Sequence, residues 1–213
     1  MNSGALHYAA KALSKELPKA YRKGIEGAGA EEIEEIISVH AVGAAASGLA
    51  AGWVPGAGGT AALMASVGFI WSMYYRINKK LGIGLSKTVV KSLGAAVLTN
   101  IAGSAMALVG GAALATALSF TGVGNAFSSL IMAALDYAVV LVSGIIYMKI
   151  LVGLFKAGKD VEKLSSEDLK AAAENVIKNE DVNSMLKDAR DSYKKAYKSG
   201  EISGKETVDI EEE

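Results

Sequence analysis

Residues 36–75 read IISVHAVGAAASGLAAGWVPGAGGTAALMASVGFIWSMYY, and no Asp, Glu, Lys or Arg stands among them. Five basic residues follow: Arg76, Lys79, Lys80, Lys87 and Lys91. The chain then runs uncharged from Ser92 to Leu135, meets Asp136, and is uncharged again from Tyr137 to Met148. An amphipathic helix in a water-soluble domain shows a charged face to solvent. These runs have none. They predict an all-α integral membrane protein of two helical hairpins, about four membrane helices in all.

The hairpins are read over residues 36–77 and 92–155. In the first, an arm from Ile36 to Trp53 meets the turn Val54-Pro55-Gly56-Ala57-Gly58-Gly59, and a second arm runs from Thr60 to Ile77. In the second, an arm from Ser92 to Ser119 meets Phe120-Thr121-Gly122-Val123-Gly124-Asn125, and a fourth arm runs from Ala126 to Phe155. Each turn carries a Gly-x-Gly, which permits the backbone reversal. About eighteen helical residues cover roughly 27 Å, just short of a hydrocarbon core of about 30 Å. The first hairpin is therefore long enough either to span or to dip. The third and fourth arms exceed the core and must tilt, break or project, with Gly110-Gly111 and Gly144 as break points.

The flanks differ in kind. Residues 1–30 form an amphipathic N-terminal segment, with Leu6, Ala9, Ala10, Leu13 and Leu17 at helical spacing, suited to a bilayer surface or to packing on its own protein. Residues 31–157 form the membrane domain, entered through Glu31, Glu32, Glu34 and Glu35, which suit the first turn of a helix. Residues 158–198 read as a soluble helical tail, begun by Ser165 as cap with Glu167 and Asp168 behind it. Its second amphipathic stretch holds Val182, Met185, Leu186, Ala189, Tyr193 and Tyr197. The polar end, 199–213, reads as disordered. The basic residues at the inter-hairpin loop and at Lys149, Lys156 and Lys159 place both termini on the cytoplasmic side, with Trp71, Tyr74 and Tyr75 as an interfacial belt.

Candidate packing residues are Gly48, Gly52 and Gly56 on the first arm and Gly103, Ala107 and Gly111 on the third, each set recurring every four residues. Small residues at that spacing let helix backbones approach closely, within one chain or between copies in a homo-oligomer. Candidate intramembrane polar residues are His40, Asn100 and Asp136. A carboxyl at that depth is costly unless paired. Hairpins side by side would bring His40 within reach of Asp136, as a proton-linked switch or a pore lining. A structural role instead pairs Asp136 with Ser104, Asn100 or a backbone carbonyl. Desolvation should favour its neutral form, so Asn should be tolerated there and Lys not.

Enzymatic signals are missing from the sequence. His7 and His40 are far apart, there is no Cys, and no Gly-x-Ser-x-Gly or Walker-type loop occurs. No catalytic set, cofactor or metal site is expected. With 22 basic and 22 acidic residues and no aromatic-interleaved basic patch, nucleic acid is not an expected partner.

Trp53-Val54-Pro55-Gly56-Ala57-Gly58, and then Tyr74-Tyr75-Arg76-Ile77-Asn78-Lys79-Lys80-Leu81-Gly82-Ile83-Gly84-Leu85-Ser86, resemble the YcjF-like family of bacterial membrane domains, over residues 40–157. That family often occurs beside Era-like or dynamin-like small GTPases. The acid it often carries after the Pro turn is replaced here by Gly58-Gly59. The resemblance implies association with a bacterial inner membrane and a small GTPase as partner, and carries over no catalytic residue. The leading expectation is a non-enzymatic membrane scaffold or shaping protein that self-associates in the lipid bilayer. A pore-forming protein is the alternative, and a soluble helical oligomer the third reading.

Overall fold

Every residue from Met132 to Met148 is buried, on all sides of one long helix. A helix that is apolar all round has no solvent face and must be covered completely. Among the described residues six other helices pack on this one. The structure, a computed structural model, describes residues 3–17, 29–51, 58–109, 123–205 and 207–208. Its helices are α1 (Ser3–Glu16), α2 (Gly29–Ala51), α3 (Gly58–Leu81), α4 (Lys87–Val109), α5 (Val123–Lys156), α6 (Ser166–Lys178) and α7 (Val182–Ser199), with a 3-10 turn at Val161–Lys163. Among the described residues there is no strand.

The central helix is α5, and α1, α2, α3, α4, α6 and α7 all pack on it. Its contacts give the direction of its neighbours. Gly48 of α2 meets Ala133 and Ile37 meets Gly144, so α2 runs antiparallel to α5. Ser66 of α3 reaches Asp136 and Asn78 reaches Tyr147, so α3 runs parallel. On α1, His7 meets Tyr137 and Glu16 pairs with Lys156, again parallel. Tyr193 of α7 lies against the Tyr137 ring.

The amphipathic flanks supply the cover. On α1, Leu6, Ala10 and Leu17 are buried, which selects packing on its own protein. Ser165 and Asp168 form the reciprocal cap expected at the start of α6: the Ser165 hydroxyl accepts from the Asp168 N–H and the Asp168 carboxylate accepts from the Ser165 N–H, both at 3.1 Å. Val182, Met185, Leu186, Ala189 and Tyr193 form the buried stripe of α7. Gly82, at φ +67°, ends α3, where the Ile83 N–H bonds the Asn78 carbonyl at 2.9 Å.

Three expectations change. Among the described residues one helical stretch, Ser129–Lys156, is long and apolar enough to cross a bilayer, with mean hydropathy 2.3, and 83% of its apolar 18-residue window is buried within the protein. The reading of four membrane helices is cut back to one candidate span among the described residues and is otherwise unconfirmed, and the uncharged run 137–148 is covered by other helices. Gly144 is no break point, since α5 continues through it. It is a point of close approach, where a Cβ would lie 2.8 Å from Ile37 Cγ2 and 3.0 Å from Met73 Sδ. The described part of the polar end is not free either. Ile202 and Val208 pack on the core, and Gly204, at φ +73°, presses on Leu49. Gly110-Gly111 lies outside the described residues.

Gly144→Val is expected to destabilise the chain by about 1–3 kcal/mol, because neither α2 nor α3 has room to withdraw. Chemical denaturation compared with the parent checks this; an unchanged midpoint would show that the three helices are not packed this closely.

Candidate functional site

Buried polar groups are few in the apolar interior of the bundle, and one set of them forms a polar seam on α5. Asp136, Ser143 and Tyr147 face α3, which contributes Ser66, Tyr74 and Asn78. The Tyr74 hydroxyl donates to the Ser143 carbonyl at 2.9 Å, and the Tyr147 hydroxyl donates to Asn78 Oδ1. The two tyrosine rings stack with centroids 4.0 Å apart. These bonds satisfy groups that would otherwise be orphaned in an apolar interior.

Asp136 is 1% exposed and accepts one hydrogen bond, from the Ser66 hydroxyl at 3.2 Å. Its second oxygen has no partner and points at Gly48, where a side chain would collide with it. Burial pushes the carboxyl well above the usual carboxylate range, and the Ser66 bond only partly opposes this. His40 is elsewhere. Its Nδ1–H donates to the Ile36 carbonyl at 2.7 Å, which leaves Nε2 of the neutral ring to accept from Ser72 at 3.1 Å. The expected approach of His40 to Asp136 does not occur, because His40 lies two helical turns before Gly48, the α2 residue level with Asp136. Asn100 is exposed on α4 and donates to the Ala96 carbonyl at 2.8 Å, so it is not the partner of Asp136.

The small residues divide. Gly48 serves contact within the chain, whereas Gly103 is exposed with nothing within 4 Å of where a side chain would start. Gly52, Gly56 and Gly111, and the side chain of Ala107, lie outside the described residues.

One constellation was not legible in the sequence. The His7 imidazole lies between the Tyr137 hydroxyl, 3.1 Å away, and the Glu34 carboxylate, 3.2 Å away. The order carboxylate, imidazole, hydroxyl is that of an activated nucleophile, but the Glu34 contact is not a hydrogen bond and leaves His7 Nδ1 without one. The surroundings argue against that chemistry. Tyr137 is buried against Tyr193, and burial, followed by the nearby Glu34 charge, pushes its phenol up to about 12. The three groups instead tie α1, α2 and α5 together. No group of three or more His, Asp or Glu among the described residues is placed to hold a metal. A groove lined by Ile36, Arg76, Lys79 and Lys80 lies on the surface and includes no member of the seam.

Comparison with known proteins adds no relative: no family model, curated protein or solved structure matches the chain.

The Asp136 geometry carries a pH dependence. Below the unfolded-state value of about 3.9 the acid is protonated in both states, and its burial adds no penalty. As pH rises toward the raised folded value, the unfolded chain alone releases the proton, so stability falls; above that value the loss is complete. Asp136→Asn removes the titration. Its stability is expected to gain on the parent's steadily from acid to neutral pH. Asp136→Lys should not fold. Melting curves across pH decide, and an Asn variant that falls below the parent at neutral pH would mean an ionised, paired carboxylate.

Proposed function

We propose that the chain is a non-enzymatic membrane protein that inserts one charge-free end of its bundle as a wedge and assembles with copies of itself. The observation that carries this reading is the segregation of charge along the helices. Lys11–Glu31, Glu32–Lys80, Glu16–Lys156 and Lys149–Glu180 tie the elements together at one end. The other end comprises the later part of α2, the early part of α3, the later part of α4 and the start of α5. No charged residue occurs in it between positions 41–75 or 92–135. A stretch of helices without charge is suited to lipid.

Depth follows from the same arrangement. Helix α7 runs antiparallel to α5, with Glu180 at Lys149 and Tyr193 at Tyr137, so the exposed Lys195 and Lys198 lie just past Tyr137 toward the uncharged end and hold that level in water. From Asp136 to the start of α5 at Val123 is about 20 Å of helix, less than the roughly 30 Å of a hydrocarbon core. The end dips into one leaflet and does not cross. A wedge in one leaflet fits a shaping or scaffold role, with both termini on the water side and, by the family resemblance, a small GTPase as partner on a bacterial inner membrane. The exposed face of α4, where Gly103 is open, is the surface for self-association.

A soluble oligomer is the competing reading, favoured by the enclosure of α5. The pore reading loses support because Asp136 and His40 are both buried against protein.

The native chain has no Cys, so single-cysteine probes are clean. An environment-sensitive dye on Ala57→Cys is expected to shift to the blue and be quenched by lipid-borne quenchers when vesicles are added, while the dye on Ser199→Cys stays in water. Failure to float with vesicles would sink insertion and favour the soluble oligomer. Gly103→Leu is expected to abolish self-association in detergent with the monomer's melting unchanged; an intact oligomer would place the contact elsewhere.

A further inference from the structure

The outward stripe of α4 changes character along its length. Lys87, Lys91, Ala95, Thr99 and Gly103 are all exposed and follow one another at intervals of four, so they lie in one row on the helix surface. The first two are cations and the rest are uncharged. Gly103 lies about 18 Å beyond Lys91 along the axis. The transition from charge to no charge therefore falls within one turn of Lys91.

That level is marked a second time from α3. The Lys91 ammonium sits 5.1 Å from the centre of the Trp71 ring. Trp71 is half-buried, with α4 closing on it at Gly94, where a side chain would come within 2.8 Å of the indole. Indole rings concentrate at the headgroup level of a bilayer, where one end is apolar and the other wet. Lys79, Lys87 and Lys91 have no carboxylate partner among the described residues, whereas Lys80 beside them is paired with Glu32. The acid placed in this turn, Glu162, is engaged with the Gly84 N–H at 2.6 Å. Two ammonium groups without a carboxylate partner among the described residues thus follow one another on α4, the second of them over the Trp71 ring, where the uncharged run of that helix begins.

We propose that Lys87 and Lys91, with Trp71 beside Lys91, form a contact for the phosphate headgroups of anionic phospholipids. It sets the membrane preference, and it rests on the insertion reading above. A whole-protein field does not supply this attraction, since 22 basic residues balance 22 acidic ones. A local contact does. Each lysine near an anionic surface strengthens binding by about fivefold, so the pair is expected to contribute roughly 25-fold, screened by salt.

The experiment uses the full chain with vesicles of phosphatidylcholine alone and of phosphatidylcholine with one-third phosphatidylglycerol. The parent should bind the anionic vesicles roughly 25-fold more tightly at low salt. The double variant Lys87→Gln/Lys91→Gln should lose that preference, while Lys159→Gln/Lys178→Gln, which removes equal charge from exposed positions toward the opposite end, should keep it. The dye on Ala57→Cys reads insertion independently, and in neutral vesicles it should report the same burial in the parent and in the Lys87/Lys91 variant. A parent without preference, or a Lys87/Lys91 variant that retains it, overturns the headgroup contact even if the dye enters lipid. A parent that prefers anionic vesicles through these two lysines while the dye stays in water overturns insertion and leaves the contact standing.

Discussion

The enclosure of α5 is the constraint on which the rest of the structure depends. A helix with no polar face cannot lie at a surface, so every other element is arranged to cover it. The apolar stripes of α1 and α7 and the longer helices α2 and α3 close around the segment from Met132 to Met148. Cover at this density needs close approach. Glycines at positions 48 and 144 allow it by admitting the Asp136 carboxylate in one case and Ile37 and Met73 in the other. Burial of so much apolar surface is the main stabilising term, at roughly 25 cal/mol per Å² removed from water.

Surfaces built of Ala, Gly and Val are smooth, and smooth surfaces slide. The polar seam between α3 and α5 opposes this, because each of its bonds exists at one register only. Tyr74 with the Ser143 carbonyl, Tyr147 with Asn78 and Ser66 with Asp136 agree on the same alignment. A one-turn shift would leave several buried groups unpaired, each at about 1–3 kcal/mol. The seam still has unsatisfied atoms, Asp136 Oδ2, Asn78 Nδ2 and Ser143 Oγ among them. Asp136 is the costly member, since its neutral form is the one its surroundings favour.

The bundle is also asymmetric along its axis, and the functional reading grows from that. Ion pairs between elements stabilise the end where α2 starts and α3 and α5 finish. The opposite end has neither ion pairs among its described residues nor charges in its sequence between 41 and 75. In the proposed insertion this is the end that meets lipid, where charge is costly. The step from Lys91 to Ala95 and Thr99 on α4 is that same boundary seen on one helix face.

Local features were legible in the sequence because local chemistry determines them. The Ser165–Asp168 cap, the buried stripe of α7 and the all-helical class rest on interactions within a few residues. The charge-free runs were legible too, but their meaning was not. Absence of charge records that water is excluded, and lipid and protein exclude it equally well, so only the packing of α1 and α7 on α5 shows that residues 137–148 are covered by protein. Spacing put Gly48 and Gly103 on equal terms, yet one faces Asp136 and the other faces outward. The partners of His40 and Asp136, the His7–Tyr137–Glu34 link and the return of the chain end over α2 join residues far apart along the chain. No periodicity encodes such contacts. They follow from the registers at which the helices meet, and the tertiary structure alone sets those.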